Sequence, residues 1–230
     1  TKGSLITLKG KKNLHGFNLN IPGDPSSAAP FIAITLLTSN SKLVIKNINC
    51  NPTRIGFIKI LKKMNANIVI KNLKRRSNEL IGDIIVKSSK LKSIKCPTNL
   101  VPSAIDEFPL LFIISSLIKG VSKFSGIKEL RHKESDRIKS VEFGLNKIGI
   151  KTKSKLDSIS IFGNPNIKIN KKLKISSKED HRLAIAFFCL GQMINGKMEI
   201  KNFQTVNTSF SKFLFFIKKI GADYEIKKGN

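Results

Sequence analysis

The sequence predicts an α/β protein made of a few copies of one strand–helix–strand–helix–strand unit around a shared axis. Three observations support this fold class. An apolar helical run occurs three times, a tight turn of small residues follows each run, and an alternating strand follows each turn. Corresponding points are roughly 70 to 85 residues apart, which is too long for a solenoid repeat. With 230 residues and 40% hydrophobic content, the chain can build a substantial core.

The first helix of each copy is apolar on most sides, so we expect it to be largely buried. A Gly or Asn turn and a strand come after it. The predicted helices, turns and strands are 30–37, 39–41 and 42–48; 109–114, 119–120 and 121–124; and 183–188, 195–196 and 197–203.

A second, amphipathic helix also recurs and ends at small residues, where glycine is a common stop signal. A short strand follows it. The predicted helices, turns and strands are 58–64, 65–66 and 68–70; 141–148, 149 and 151–153; and 213–220, 221–222 and 224–226.

Acidic and hydroxyl residues stand immediately before each predicted buried helix. Capping of free backbone N–H groups explains such residues, but a helix N-terminus also attracts anions through those groups and its dipole. If the copies are related by pseudo-symmetry, the three helix starts converge at one end of the domain and form a binding face. The residues at these starts are Asp24, Pro25, Ser26 and Ser27; Asp106 and Glu107; and Asp180, His181 and Arg182.

The run from Lys133 to Arg137 is a dense cluster of opposite charges. A carboxylate beside a lysine and an arginine can donate or accept a proton while the cations hold an anionic substrate. On a helix, Lys133 and Arg137 would share a face, with Glu134 turned to one side. The alternative is an exposed lattice of ion pairs without a function, and His181 taken alone also fits a capping or core histidine. The basic run 71–76 is interpreted as a solvated loop.

The formal charge of +27 raises the possibility of nucleic-acid binding. Only six of the 42 basic residues are arginine, Trp is absent and there is one Tyr, so no aromatic stacking motif accompanies the charge. Scattered lysines in an Ile- and Asn-rich background are typical of a genome rich in A and T, and we favour this interpretation. The sequence has no Gly-rich phosphate loop, so nucleotide-dependent chemistry has no support.

Three distant cysteines have no metal-ligand spacing to the histidines, so we expect reduced thiols and no metal site. No apolar run is long enough to span a bilayer, and the N-terminus has no signal-peptide pattern. The sequence therefore favours a cytoplasmic protein, and the start at Thr1 suggests a truncated chain.

Six short motifs, in this order, make the chain resemble the C-terminal half of the 5-enolpyruvylshikimate-3-phosphate synthases (3-phosphoshikimate 1-carboxyvinyltransferases). Each motif is weak alone, but together they are specific and extend through essentially the whole chain. The motifs are Ile-Pro-Gly-Asp-Pro-Ser-Ser-Ala-Ala (21–29), Asn-Pro-Thr-Arg (51–54), Ile-Asp-Glu-Phe-Pro (105–109), Leu-Arg-His-Lys-Glu-Ser-Asp-Arg-Ile (130–138), Asp-His-Arg (180–182) and Asn-Thr-Ser-Phe (207–210).

The resemblance implies the enolpyruvyl transferase fold, in which two domains each contain three βαβαββ units around a pseudo-threefold axis. It places residues 1–68 at the end of the N-terminal domain and residues 69–230 in the C-terminal domain. The chain would thus hold one nearly complete domain and part of a second, with the active site in the cleft between them.

The resemblance also implies the reaction: the enolpyruvyl group of phosphoenolpyruvate moves to the 5-hydroxyl of shikimate 3-phosphate, and phosphate is released. This step belongs to the shikimate pathway of chorismate and aromatic amino acid biosynthesis, and it uses neither a metal nor an organic cofactor. By motif, Asp106 would bind the shikimate hydroxyls and act as base, Glu134 would exchange the proton at the methylene carbon, and Lys133 would assist proton transfer.

The substrate-binding residues implied by the resemblance are arginines, a histidine and serines. Arg137 and Arg182 would clamp phosphoenolpyruvate, His181 would line the site, and Ser26 and Ser27 would help to hold the shikimate phosphate. Since these substrates are strongly anionic, several cations must be brought together to hold them.

The chain departs from the family pattern at two positions and lacks the motifs of the N-terminal half. Thr208 stands where many members have a lysine, and Pro30 where some have a substrate-contacting aromatic residue. We therefore expect negligible activity from this chain without the missing half, a monomer when the protein is complete, and no specific nucleic-acid or membrane partner. The competing hypotheses are a UDP-amino-sugar enolpyruvyl transferase, which lacks support because no match to its cysteine loop is evident, and a non-catalytic basic nucleic-acid-binding module.

Overall fold

The computed structural model describes residues 5–169, 172–194 and 196–227. Asn195, part of the third predicted turn, lies outside these ranges. The helices are α1 (Pro25–Leu37), α2 (Gly56–Lys63), α3 (Phe108–Ser116), α4 (Arg137–Lys147), α5 (His181–Met193), α6 (Asn207–Phe210) and α7 (Phe213–Lys219). The strands are β1 (Lys42–Asn49), β2 (Asn67–Arg76), β3 (Glu79–Lys87), β4 (Gly120–Ser125), β5 (Thr152–Lys155), β6 (Ser158–Gly163), β7 (Leu173–Ser176) and β8 (Met198–Lys201).

Three largely buried helices, α1, α3 and α5, pack against one another at the centre of the structure. All nine residues of α3 are buried, as expected for a helix that is apolar on every side. The sequence predicted these three central helices, and the prediction is confirmed. The amphipathic helices α2 and α4 are also confirmed, and each ends at a residue with positive φ, Asn65 (70°) or Gly149 (81°).

The sheets repeat one pairing scheme on the outside of the central helices. β1-β3-β2 and β4-β6-β5 are both antiparallel, and each gains a parallel bridge from the segment before it, Gly23 to Ile48 and Lys95 to Lys123. In the third copy β7 pairs with β8 in parallel. The first two copies therefore have the βαβαββ order implied by the resemblance, and the third begins in the same way.

Two predicted segments differ from the structure. No strand forms at residues 224–226, where Tyr224 instead places its ring edge-on against Phe188. The basic run 71–76 is not a loop but the end of β2, an exposed edge strand of its sheet. Lysine and arginine on an edge strand oppose pairing with another chain, so the charge has a structural reason at this position.

The predicted boundary between residues 68 and 69 falls inside β2, which pairs with β3 on both sides of that point. One hydrophobic core includes α1 from before the boundary and α3 and α5 from after it. Residues 6–20 form neither helix nor strand, and their apolar side chains are exposed, as for Leu8 (89%) and Leu14 (94%). Within the described ranges, no helix is both long and apolar enough to cross a membrane.

Candidate active site at the helix N-termini

The N-termini of α1, α3 and α5 converge at one end of the structure, as the sequence predicted. Arg182 on α5 lies 3.8 Å from carboxylate oxygens of both Asp106 and Glu107 at the start of α3. Glu107 in turn lies near Ser26 on α1 and Arg54. A continuous cluster of charged and polar side chains therefore links the three helix starts.

Aspartate caps two of these helices. Asp24 accepts hydrogen bonds from the backbone N–H groups of Ser26 (3.2 Å) and Ser27 (2.8 Å), and Asp180 accepts them from Arg182 (2.9 Å) and Leu183 (3.4 Å). Burial alone would raise the pKa of Asp24, but the Ser27 and Ser26 hydrogen bonds and the charge of Arg54 outweigh it and lower that pKa. Both carboxylates thus have the structural role of a helix cap.

Lys133 and Arg137 do not lie on one helix, so the shared face considered for helical spacing does not form. A short 3₁₀ helix ends at His132, residues 133–136 form a loop, and Asp136 caps α4. Arg131 anchors this loop by donating hydrogen bonds to Asp136 (2.8 Å) and to the carbonyls of Leu156 and Lys155. The charge cluster therefore lies on a braced loop rather than on one face of a helix.

Arg137 is the most enclosed cation of the cluster, with only 1% of its side chain exposed. Its Nε and Nη2 donate to the two carboxylate oxygens of Asp180 (2.9 and 3.3 Å), which is itself fully buried. Nη1 donates to Asp106 (3.4 Å) and Nη2 to Glu134. Arg137, the first residue of α4, uses most of its N–H groups in these hydrogen bonds. It therefore acts as a buried strut, that is, a side chain that links α4 to the starts of α3 and α5.

Glu134 faces His181 as well as Arg137. Its Oε1 is 3.6 Å from His181 Nδ1, and about half of its side chain is exposed. Burial and the nearby Arg182 charge lower the pKa of His181, although Glu134 acts in the opposite direction. A largely neutral imidazole therefore stands beside a solvent-accessible carboxylate, which suits proton exchange with a small molecule.

Lys133 lies at the edge of the cluster, where its Nζ pairs with Glu129. This pair is i,i+4 in sequence, and Glu129 is mostly exposed, so the contact is weak and easily exchanged. The ammonium group is thus available to a ligand at little cost.

The two predicted phosphate-binding serines are both engaged in the start of α1. Ser27 Oγ donates to Asp24 Oδ2 (2.9 Å), and Ser26 Oγ accepts from Arg54 Nη2 (3.3 Å). Arg54 also pairs with Asp24 at 2.9 Å. The geometry gives both hydroxyls a capping or bracing role, and it adds Arg54 as an exposed cation beside them.

The sequence predictions omitted three members of the cluster as site residues: Asp180, Glu107 and Arg54. Asp180 and Glu107 were noted only as helix starts, and Arg54 only as part of a motif. Their involvement depends on contacts between distant segments, such as the pair between Asp180 and Arg137, 43 residues apart. The chain order of these residues gives no signal for that contact.

Thr208, at the family's lysine position, lies on a segment held close to the start of α5. Its hydroxyl donates to the Thr205 carbonyl (2.7 Å), and the Thr205 hydroxyl donates to the Glu179 carbonyl (2.8 Å). Thr208 is therefore linked through Thr205 to Glu179, the residue before Asp180. Among the residues described, no group of three or more His, Cys, Asp or Glu side chains is placed to hold a metal.

The fold is that of the enolpyruvyl transferases. The structure matches an EPSP synthase from Acinetobacter baumannii with a TM-score of 0.87 and 36% identity over 95% of this chain and 50% of that one. It also matches the enolpyruvyl transferase NikO from Streptomyces tendae with a TM-score of 0.64 over 86% of this chain and 43% of that one, and at 12% identity this likeness concerns the fold alone.

The chain belongs to the EPSP synthase (3-phosphoshikimate 1-carboxyvinyltransferase) family, whose model matches residues 1–215. The enzyme of that name from Petrotoga mobilis is 41% identical over 220 residues, 95% of this chain and 50% of its own length. The one from Carboxydothermus hydrogenoformans is 40% identical over 221 residues, again 95% of this chain and 50% of its own length. The chain thus spans about half the length of these relatives.

Proposed function

We propose that this chain supplies one half of the active site of an enzyme that transfers the enolpyruvyl group of phosphoenolpyruvate to the 5-hydroxyl of shikimate 3-phosphate, releasing phosphate. The other half comes from the part of the family's length that this chain does not span. The convergence of three helix N-termini on one cluster of carboxylates and cations is the observation that carries this proposal. Family membership supplies the reaction.

The proposed reaction needs a base for the attacking hydroxyl and an acid for the methylene carbon. Asp106, about a third exposed and close to Arg182, takes the proton of the 5-hydroxyl as its oxygen bonds to C2 of phosphoenolpyruvate. Glu134, or Lys133 beside it, gives a proton to C3, so that a tetrahedral intermediate forms. Removal of a proton from C3 then expels phosphate and restores the double bond.

The proposed anion contacts differ between the two arginines. The Arg182 side chain, 20% exposed, is near two carboxylates without a hydrogen bond to either, so its N–H groups can turn to a substrate. Arg137 can contact the substrate only after Glu134 or Asp106 moves aside. Ser26 and Ser27, with Arg54, are the proposed contacts for the shikimate phosphate, and His181 lines the site.

The proposal extends to the setting of the enzyme. We place the junction between the two halves near Gly23, before α1, because α1, α3 and α5 share one core and residues 6–20 do not join it. The partners are the two small-molecule substrates and the missing half, with no metal, organic cofactor, nucleic acid or membrane. The complete protein is proposed to be a monomer of the cytoplasm.

The test is phosphate release from shikimate 3-phosphate and phosphoenolpyruvate, measured with this chain alone and with a separately expressed N-terminal half of the Petrotoga mobilis relative. We expect turnover only in the mixture, and its loss with Asp106→Asn or Glu134→Gln. Glu225→Gln, which removes an exposed charge, is the matched control. If the two halves are folded and associated but release no phosphate, the proposal is contradicted and the hypothesis of a non-catalytic basic nucleic-acid-binding module is favoured.

A further inference from the structure

Glu107 is a buried carboxylate that the chemistry above does not use. Its side chain is 7% exposed, and its Oε1 has no hydrogen-bond partner among the described residues. Burial raises the pKa of Glu107, against the influence of Ser26, Arg182 and Arg54. A carboxylate placed in this way costs folding free energy, because its interactions with Ser26 and the two arginines do not offset its desolvation.

Capping does not explain this cost. Glu107 is the residue before α3, but its side chain makes no capping hydrogen bond, unlike Asp24 and Asp180 at the equivalent positions of α1 and α5. A glutamine or an apolar residue would serve the start of α3 at least as well. Residues that lower the stability of the fold and have no structural role of their own are typical of functional sites.

The neighbour of the unpaired oxygen is Arg182. Glu107 Oε1 lies 3.8 Å from Arg182 Nη1, while Asp106 Oδ2 lies 3.8 Å from Nη2. Both distances allow charge attraction but exceed hydrogen-bond length. The guanidinium is thus centred between two carboxylates, and its N–H groups make no side-chain hydrogen bond within the described ranges.

We infer that Glu107 is a positioning residue, which holds the Arg182 side chain towards the cluster and so sets the affinity for the anionic substrate without touching it. The inference rests on the proposed function for the identity of that anion. Arg182 is oriented by attraction alone, so its hydrogen-bonding capacity stays free for the substrate. Arg137, by contrast, is fixed by the hydrogen bonds that occupy it.

The first test uses Glu107→Gln in this chain, with Glu225→Gln as the control for the change in net charge. The chain has six arginines, so their Nε–Hε signals are few enough to assign by NMR. We expect the Arg182 signal to lose order in Glu107→Gln while the Arg137 signal is unchanged. Urea unfolding at neutral pH should show no loss of stability, because the substitution removes a buried charge. An unchanged Arg182 signal, or a clear loss of stability, would overturn the inference.

The second test measures kinetics in the mixture of halves. Loss of the charge attraction between Glu107 and the partly exposed Arg182 should raise KM for phosphoenolpyruvate about two- to fivefold. KM for shikimate 3-phosphate and kcat should change less than about twofold. Wild-type turnover with an unchanged KM in Glu107→Gln would refute the positioning role alone. If the wild-type mixture shows no turnover, the proposed function is refuted. The NMR signal of Arg182 would then still show whether Glu107 orients the Arg182 side chain.

Discussion

Asp180→Ala should be one of the most destabilising single substitutions in this chain, because Asp180 has two structural roles. It caps α5 through the N–H groups of Arg182 and Leu183, and it binds the buried guanidinium of Arg137 through both of its oxygens. Alanine removes the cap and leaves a guanidinium that is 1% exposed without its main partner.

The magnitude follows from these two contributions. Loss of an aspartate cap costs about 1 kcal/mol. Removal of one partner from a buried ion pair costs about 3–5 kcal/mol, because the remaining charge stays desolvated. Glu134 and Asp106 still contact Arg137 and offset part of this, so we expect about 3–5 kcal/mol in total for Asp180→Ala. Asp180→Asn keeps a good capping group, so it should cost about 1 kcal/mol less.

The assay is urea unfolding of the chain, followed by far-UV circular dichroism. Asp24→Ala is the matched control, because it removes the cap of α1 where the paired arginine, Arg54, is about half exposed. Its cost should be about 1 kcal/mol. If Asp180→Ala costs no more than Asp24→Ala, the description of Arg137 as a strut that depends on Asp180 is wrong.

Three further outcomes are expected. Folding lowers the pKa of His181 below 6.5, so the contribution of the neutral imidazole to stability is complete above that pH and is lost as the pH falls. His181→Asn should therefore flatten the pH dependence of the free energy of unfolding between about pH 7 and 5. Gly144→Ala should cost about 1–3 kcal/mol, since its Cβ would lie 2.5 Å from Phe187, whereas Gly191→Ala, with no atom nearer than 3.5 Å, should be neutral or stabilising in urea unfolding. Burial raises the pKa of Cys96 to about 11, so a thiol reagent should modify native protein far more slowly than unfolded chain, and equal rates would contradict this.

The central helices and the helix starts could be predicted because their signals are local. α3 is apolar at almost every position, and Asp24 with Pro25 marks the start of α1 as clearly as Asp180 marks that of α5. The recurrence of one pattern then made convergence of the helix starts an expectation of symmetry. The contact between Arg182 and the start of α3, together with that between Glu107 and Ser26 at the start of α1, confirms it.

Other expectations failed where tertiary contacts outweigh local pattern. Residues 133–136 have charges at helical spacing, yet they form a loop because Arg131 ties them to Leu156 and Lys155 and because Asp136 begins α4. The basic run at the end of the edge strand β2 has the charge of a solvated loop, but it pairs antiparallel with β3. The partners of Arg131 lie more than 20 residues away, whereas the partner of the basic run is the next strand along the chain; in both cases pairing outweighs the local charge pattern.

Local pattern and motif order were enough to predict the family, the repeated unit and the residue types that meet at the helix starts. The different roles of those residues depend on how the chain packs. Burial by three separate helices makes Arg137 a strut and leaves Arg182 available, although both are arginines in family motifs. Burial also leaves Glu107 Oε1 without a hydrogen-bond partner among the described residues. Desolvation and pairing are properties of the packed chain, so residue type and spacing do not specify them.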